Sequence, residues 1–472
     1  MSNLWKRKPL DQLLHAEVVS EEHPHSLKKT LGPGSLVALG IGAIIGAGLF
    51  VRTAAAAAYN AGPSVTLAFI VAAVGCAFAG LCYAEFASMI PIAGSAYTYS
   101  YATLGELVAW IIGWDLILEY GLSLAPTASS LSDYFQHMLG NIGIVFPAWA
   151  QTANVHAAHA QIDLLACIVT LAVTLLVAAG IRESASVNGA LVVLQIVSML
   201  VFIVAVAHAI HPSNLRPFAP FGYHGVLAST ALVFFAYIGF DTVTVASEEA
   251  KRPERNVPIG IILALSLGGI LYVALTLCTV GVLRFDKLSD GAAMLDALGS
   301  VSKSHALYWI VAIGGLAGNT TVMLTSLLGQ VRIFYVMARD RMLPPGVARI
   351  HHVFRTPARM TMITGFIVAI FAAVLPLTEL LTLVNIGTLA AFAIVCAGVL
   401  VLRIVNPGAV RPFRAPLLPL FSIGGAAACL YLVTGLQVAT WIRYGVWFLV
   451  GLTVYALYGF WNSRLRVELI EP

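Results

Sequence analysis

The stretch GIGAIIGAGLF, residues 40–50, places four glycines among eleven residues that are otherwise apolar. A glycine inside a helix costs about 1 kcal/mol relative to alanine. The apolar residues of this segment therefore favour a buried helix, whereas its glycines destabilise that helix. Three explanations are possible: a nucleotide-binding loop, a close-packed helix face, and a helix with a functional unwound segment.

The whole chain has the composition of a membrane protein. Of its 472 residues, 59% are hydrophobic and 10% are charged, against about 25% charged in soluble domains. Apolar runs of about 20 residues, the length that crosses a bilayer core, recur along it. We predict an all-α polytopic membrane protein with twelve spans, at residues 35–60, 64–88, 97–131, 162–181, 188–210, 225–248, 258–283, 305–337, 360–376, 380–402, 415–438 and 441–461.

Charge predicts the orientation of these spans. With twelve spans, 20 of the 26 lysines and arginines fall on the side of both termini, and the positive-inside rule makes that side cytoplasmic. We expect a multi-pass protein of the cell membrane with a polar N-terminal segment (1–34), one twelve-helix domain (35–462) and a short tail (463–472). The N-terminal segment has no apolar core of a cleavable signal peptide.

No cofactor or metal is expected from the sequence. The six cysteines all lie in apolar runs, where cysteine behaves as a small hydrophobic residue. His156 with His159, and His351 with His352, form isolated pairs that lack further ligands. No nucleophile and base occur together inside the spans, so an enzyme is not expected.

The sixth span decides between the three explanations of the glycines. A dinucleotide site needs GxGxxG after a strand of a soluble domain, whereas these glycines lie in a membrane span. Gly42 and Gly46 form GxxxG, which suits close helix packing. The sixth span, VFFAYIGFDTVTVASEE at residues 233–249, is also interrupted by a glycine. Two glycine-broken spans in corresponding positions indicate a transporter with inverted repeats, so we favour broken helices.

A broken helix leaves backbone groups that need partners. Free amides of Gly46, Ala47 and Gly48 at a helix N-terminus suit a carboxylate. Carbonyl groups left at the other end, near Ile44, suit an ammonium group. Further carbonyls for that group are expected in the sixth span, at Phe235, Ala236 and Ile238. A carboxylate on one side and an ammonium on the other describe an α-amino acid.

Acidic residues inside the spans are functional candidates, because burying each costs about 3 kcal/mol. Asp115 and Glu119 lie four residues apart on one helix face, and Asp241 lies in the sixth span. No basic residue is found at mid-depth in the central helices, which favours a cationic ligand or a proton. The alternative is a structural role as a cap or in an ion pair. For Glu85, Glu248 and Glu249, near the membrane edge, we expect ion pairs.

Four segments carry a family resemblance: GIGAIIGAGLF, CYAEFASMIPIAGSAYTYSYATLGELVAWIIGWDLILEYGL, VFFAYIGFDTVTVASEEAKRPERNVPIGI and GQVRIFYVMARDRMLP. They resemble the amino acid–polyamine–organocation superfamily, in its cationic amino acid transporter branch, from about residue 25 to residue 460. The resemblance implies a five-plus-five inverted repeat with two additional C-terminal helices. It also implies alternating access, with helices 1 and 6 unwound at mid-membrane.

Site residues follow from the resemblance by position. Gly46, Ala47 and Gly48 would bind the substrate carboxylate, and carbonyls of Ile44, Phe235, Ala236 and Ile238 its amino group. The side chain would meet Glu119, Ser123, Asp241 and Ser326. The small residue at 326 would leave room for a long side chain such as that of arginine.

One position departs from the family pattern. Several bacterial relatives carry a lysine in the fifth span as the proton-responsive group, and here that position is Gln195. Glutamine does not titrate, so coupling could pass to Glu119 or Asp241, or the protein could be an uncoupled exchanger. A sodium ion held by hydroxyls of Thr320, Thr321 or Thr325 is the less favoured alternative.

The expected function is a secondary transporter of cationic amino acids: arginine, lysine and ornithine. Its partners would be the amino acid, the lipid bilayer and protons, without nucleic acid; an accessory membrane subunit is left open. Two alternatives remain. One is a permease or exchanger for a broad or small-neutral range of amino acids, since the backbone site recognises any α-amino acid. The other is a sensor of the same fold that does not transport.

Overall fold

A computed structural model describes residues 7–8, 29–50, 52–140, 142–153, 161–179, 181–288, 293–349, 351 and 356–463. Within these ranges all regular structure is helical, apart from one isolated backbone bridge between Leu31 and Ala250. The predicted all-α class is confirmed. Most of the predicted N-terminal segment, nearly all of the tail, and His156, His159 and His352 lie outside the described residues.

The α-helices of the described ranges are numbered here in chain order. They are α1 Pro33–Ile44, α2 Ala47–Phe50, α3 Arg52–Ala55, α4 Val65–Met89, α5 Ser95–Thr103, α6 Glu106–Leu116, α7 Ser123–Gly140, α8 Leu164–Ala179, α9 Ile181–Val206, α10 Gly222–Val233, α11 Thr242–Val245, α12 Pro253–Val282, α13 Ala293–Val301, α14 His305–Arg339, α15 Ala358–Val374, α16 Leu377–Val405, α17 Leu418–Thr434, α18 Val438–Val454 and α19 Phe460–Asn462. Wider π-helical turns occupy Ala56–Ala61, Ile117–Leu122 and Tyr455–Gly459.

Eight helical segments of the described chain are long and apolar enough to cross a membrane. Four shorter apolar helices, α1, α8, α15 and α17, fall on the remaining predicted spans. The prediction for the third span was wrong at its start. Residues 97–103 belong to the separate helix α5, and the long segment begins only at Glu106, because Gly105 has a φ of +102° that interrupts the helix.

The first and sixth spans are both broken, as their glycines predict. α1 ends at Ile44, Ile45 is extended with ψ 101°, and helix resumes at Ala47. In the sixth span, α10 tightens into the 3₁₀ turn Phe234–Tyr237 and then opens. Gly239 there has a φ of +113°, a conformation that glycine adopts without steric cost.

The two breaks lie against each other. A Cβ atom at Gly239 would come within 2.6 Å of the Ala43 carbonyl oxygen, and one at Gly48 would overlap the backbone of Ala236. These glycines therefore allow two backbones to approach closely. They explain why a stretch with helix-weakening residues is found in the centre of the bundle.

Neighbouring helices hold the two broken spans. The seventh-span helix α12 packs along α4 and also against α1, and α9 packs along α14. α15 packs along α8, and α16 contacts α7. The breaks are thus surrounded by other helices, and protein groups rather than lipid can supply hydrogen-bond partners for the backbone N–H and C=O groups exposed there.

Gly48→Ala tests the contact between the breaks. The added methyl group overlaps Ala236, so we expect a loss of at least about 1–3 kcal/mol in the free energy of unfolding. The measurement is thermal unfolding of the purified protein in detergent. Gly75→Ala is the control, since a Cβ at Gly75 meets nothing within 4 Å. Equal melting temperatures for Gly48→Ala and the wild type would contradict the close approach.

Candidate functional site

A cavity lies where the two breaks meet and face the third and eighth spans. The volume of this cavity is about 20 Å³, measured for the centre of a water molecule. On the same measure, a single water needs about 10–15 Å³. The lining therefore has to move apart before a molecule of amino acid size enters. The cavity is lined by Ala43, Ile44, Gly46, Gly48, Glu119, Tyr120, Ser123, Phe235, Ile238, Gly239, Val322 and Ser326.

The structure brings most of the predicted site residues together in this lining. They come from four segments that are far apart in the sequence: the break after α1, the π-helical turn Ile117–Leu122 with the start of α7, the break in the sixth span, and α14. The predicted residues that line the cavity are Ile44, Gly46, Gly48, Glu119, Ser123, Phe235, Ile238 and Ser326.

Four predicted residues do not line it. Ala47 is the first residue of α2, next to the break. Ala236 accepts a hydrogen bond from outside the cavity through its carbonyl oxygen. Asp241 and Gln195 are fully buried, each bonded to other parts of the bundle.

Glu119 is the charged side chain among the described residues that line the cavity. It is 2% exposed, and neither carboxylate oxygen has a hydrogen-bond partner within the described part of the chain. Ser123, one turn further along, donates to the Tyr120 carbonyl at 3.1 Å. A buried carboxylate without partners is costly, so a ligand with a positive charge or a proton would relieve it.

Asp241 is bonded away from the cavity. The hydroxyl of Tyr120 donates to its carboxylate, and the hydroxyl of Ser95 donates at 3.4 Å. Tyr120 itself lines the cavity. Asp241 thus lies behind Tyr120 and connects the third and sixth spans.

Gln195 supports the end of the first half-helix. Its side-chain amide donates to the Ile45 carbonyl at 2.6 Å. Ile45 is the residue at which α1 stops, so this bond satisfies one of the carbonyls that the break exposes. The position singled out for coupling is therefore in direct contact with the broken helix.

Three threonines considered for sodium bond within α14. Thr320 donates to the Leu316 carbonyl at 2.8 Å, Thr321 to that of Gly318 at 2.7 Å, and Thr325 to that of Thr321 at 2.9 Å. Hydroxyls of helix interiors commonly bond one turn back in this way. The arrangement adds no support for the sodium alternative.

Glu85 forms an ion pair, as expected from its place near the membrane edge. Its carboxylate accepts two hydrogen bonds from Arg403, at 2.9 and 2.6 Å, and one from the backbone N–H of Ala415 at 2.8 Å. The bidentate geometry is the strongest form of this contact. Glu85 holds the loop after α16 against the second span.

Glu248 and Glu249 also form ion pairs. Glu249 pairs with Arg332 of α14, and Glu248 lies 3.5 Å from Arg339 of the same helix. Both contacts connect the end of the sixth span to the eighth. These two acids are thus structural contacts away from the cavity.

Sequence reasoning missed two tyrosines. Tyr120 lines the cavity and directly follows Glu119 in the sequence, so the prediction of Glu119 as a site residue could have pointed to Tyr120 as well. Tyr272 lies in α12, and its hydroxyl lies within hydrogen-bond distance of carbonyls of both breaks, at Ile44 and Ala236. No local motif marks it, because it is 228 residues from the first of these partners.

Tyr120→Phe tests the support of Asp241. The change removes a donor from a fully buried carboxylate, so we expect a loss of about 1.5–3 kcal/mol in the free energy of unfolding. Thermal unfolding in detergent measures it. Tyr83→Phe is the control, because the Tyr83 hydroxyl is buried without a partner in the described structure. Equal stability of the two variants would argue against this bond.

Comparison with known proteins agrees with this architecture. A sequence model described as amino acid permease matches residues 31–457. The chain is 42% identical to the methylthioribose transporter of Bacillus subtilis (99% of this chain, 100% of the relative) and 42% identical to its branched-chain amino acid permease BcaP (98% and 99%). It is 36% identical to the vacuolar cationic amino acid transporter 4 of Arabidopsis thaliana (87% and 68%). These relatives are transporters and permeases, not enzymes, and the chain belongs to the amino acid permease family of the amino acid–polyamine–organocation superfamily.

Proposed function

We propose that this permease moves α-amino acids across the cell membrane by alternating access, with both termini in the cytoplasm. The observation that carries the proposal is the cavity at the meeting point of two broken helices. Backbone groups that a continuous helix would use internally are available there. Main-chain recognition suits a substrate class that shares a carboxylate and an ammonium group.

The two ends of the substrate would bind to different halves of the first span. The amides of Gly46, Ala47 and Gly48 begin the second half-helix and would hold the carboxylate. The carbonyl of Ile44 ends the first half-helix and would accept from the ammonium group. Phe235, Ala236 and Ile238 would add carbonyls from the sixth span.

Helix packing supports the five-plus-five arrangement. An inverted repeat relates each of spans 1–5 to the span five positions later. If spans 5 and 8 are in contact, this symmetry requires that spans 10 and 3 are in contact too. The contact between spans 2 and 7 and the contact between spans 4 and 9 are each their own symmetry equivalent. All four contacts occur among the packed helices. We propose that the four shorter apolar helices also cross, which makes twelve spans.

The first candidate for the substrate side chain is a cationic one. Glu119 brings a carboxylate to the cavity without a cation of the described chain beside it. Ser326 is small and lines the same cavity, which leaves room for a long side chain. Arginine, lysine and ornithine combine both features.

The second candidate is a neutral side chain. Asp241 is engaged by Tyr120 and Ser95, so it adds no charge to the lining. Much of that lining is apolar, including Phe235, Ile238 and Val322. One of the two relatives at 42% identity is a branched-chain amino acid permease. A neutral substrate would need Glu119 to carry a proton.

Glu119→Gln distinguishes the two candidates. We expect competition by arginine and lysine to weaken about tenfold or more, since a buried charge contact is lost, while competition by leucine and alanine changes little. The measurement is inhibition of radiolabelled amino acid uptake into proteoliposomes by a panel of unlabelled amino acids. Asp115→Asn is the control, because that carboxylate bonds to Tyr444 away from the cavity.

Two outcomes would change the assignment. If the wild type responds only to neutral amino acids, the cationic candidate fails and the neutral one stands. If Glu119→Gln weakens both classes equally, the carboxylate has no role in side-chain selection. Failure of every amino acid to compete would contradict the proposed function itself.

Gln195→Lys tests coupling at the fifth span. A lysine there would bring a titratable cation to the C-terminal end of α1, where positive charge is favoured. Position 195 is fully buried, and burial lets a lysine exchange its proton near neutral pH, so we expect the initial uptake rate to depend more steeply on pH between about pH 5.5 and 8.5 than in the wild type. Gln195→Met is the control, since it removes the bond to Ile45 and adds no charge. Parallel profiles for wild type and Gln195→Lys would exclude this position from proton response.

A further inference from the structure

One tyrosine connects the two breaks to each other. Tyr272 lies in α12 and is fully buried. Its hydroxyl oxygen is 2.9 Å from the Ile44 carbonyl oxygen and 2.8 Å from that of Ala236. Ile44 is the last residue of α1, and Ala236 lies in the 3₁₀ turn of the sixth span. A single side chain therefore bridges the interrupted ends of both helices.

The chemistry of this contact is asymmetric. A phenol has one proton to donate, and each carbonyl oxygen has two lone pairs. The hydroxyl thus cannot satisfy both carbonyls fully, and each keeps capacity to accept a further hydrogen bond. The arrangement fixes where the two carbonyls lie but does not saturate them.

Surrounding aromatic rings hold the tyrosine in place. Its ring packs edge-on against Phe69 at 5.5 Å and against Tyr237 at 5.1 Å between centroids. A fully buried ring between two others has no room to swing away from the carbonyls. The hydroxyl is a rigid reference point carried by the continuous helix α12.

We propose that Tyr272 is a positioning residue for the amino group of the substrate. It holds carbonyls of both half-helices around one point, at the spacing that a single hydrogen-bonding atom requires. The carbonyl of Ile44, a residue that lines the cavity, keeps a lone pair for the ammonium nitrogen, while the contact of the same hydroxyl with Ala236 fixes the sixth-span turn beside it. This inference deepens the proposed function and rests on it.

The role separates recognition of the amino group from recognition of the side chain. Tyr272 is absent from the cavity lining, whereas Ile44 is part of it. Its effect therefore passes through the backbone and applies to every α-amino acid alike. It also predicts discrimination against analogues in which the amino group is replaced by a hydroxyl, because a hydroxyl offers one donor and no charge.

A matched control lies beside it in the structure. Tyr237 is buried in the same aromatic cluster, and its hydroxyl donates to the Phe69 carbonyl of α4 at 2.9 Å. Changing either tyrosine to phenylalanine thus removes one buried hydroxyl and its contact with backbone carbonyl oxygen. Tyr237 belongs to the sixth-span turn, but its hydroxyl bonds to α4, whereas the Tyr272 hydroxyl contacts backbone carbonyls of both breaks.

The experiment compares Tyr272→Phe, Tyr237→Phe and the wild type in proteoliposomes. It measures KM and kcat for the amino acid that the wild type takes up best, and inhibition by the 2-hydroxy acid with the same side chain. For Tyr272→Phe we expect KM to rise about tenfold with kcat changed less than about threefold. The inhibition constant of the hydroxy acid should stay within about twofold, so that selectivity for the amine falls.

Each outcome has a distinct meaning. Equal KM for Tyr272→Phe and Tyr237→Phe overturns the inference, as does a fall in kcat with unchanged KM. An equal loss of affinity for the amino acid and the hydroxy acid also overturns it, since that indicates general damage to the site. Absence of saturable amino acid uptake by the wild type would instead contradict the proposed function.

Discussion

The structure depends on one constraint, the need of every backbone N–H and C=O group for a partner where water is excluded. Two adjacent breaks in membrane helices create several such groups at once. Gln195 satisfies the Ile45 carbonyl, and Tyr272 contacts those of Ile44 and Ala236. Ile44, Gly46 and Gly239 of the same two breaks line the cavity. The proposed binding site therefore lies where the two broken helices leave backbone groups for a ligand.

The acidic residues follow the same logic of compensation. Near the ends of the bundle Glu85 has Arg403, and Glu249 has Arg332, so that buried charge is paired with charge. Inside the bundle, Asp241 has hydroxyl donors instead. Glu119 has neither type of partner within the described structure. Of these four carboxylates, the one that lines the cavity is thus the least compensated in the described structure.

Sequence alone was sufficient for features that are encoded locally. The breaks follow from glycines such as Gly46 and Gly239, and the cavity lining at Glu119, Ser123 and Ser326 was predicted from matching motifs. Features that depend on distant packing were not accessible. The Asp241 carboxylate is bonded to Tyr120, more than 100 residues away in the sequence. The role of Tyr272 depends on its contacts with two other spans. Gly105 also ended a helix that the hydropathy pattern continued.

The small size of the cavity indicates which part of the lining must yield to a substrate. On one side lie backbone segments fixed by Gln195 and Tyr272 and by glycine contacts that leave no slack. On the other lie apolar side chains, among them Phe235 and Val322, which have no hydrogen-bonding groups that fix their positions. On the proposed function, we therefore expect room for a substrate to come from the side-chain half, while the backbone half keeps its geometry. The proposed recognition of the amino acid backbone would then stay constant while the side-chain pocket adapts.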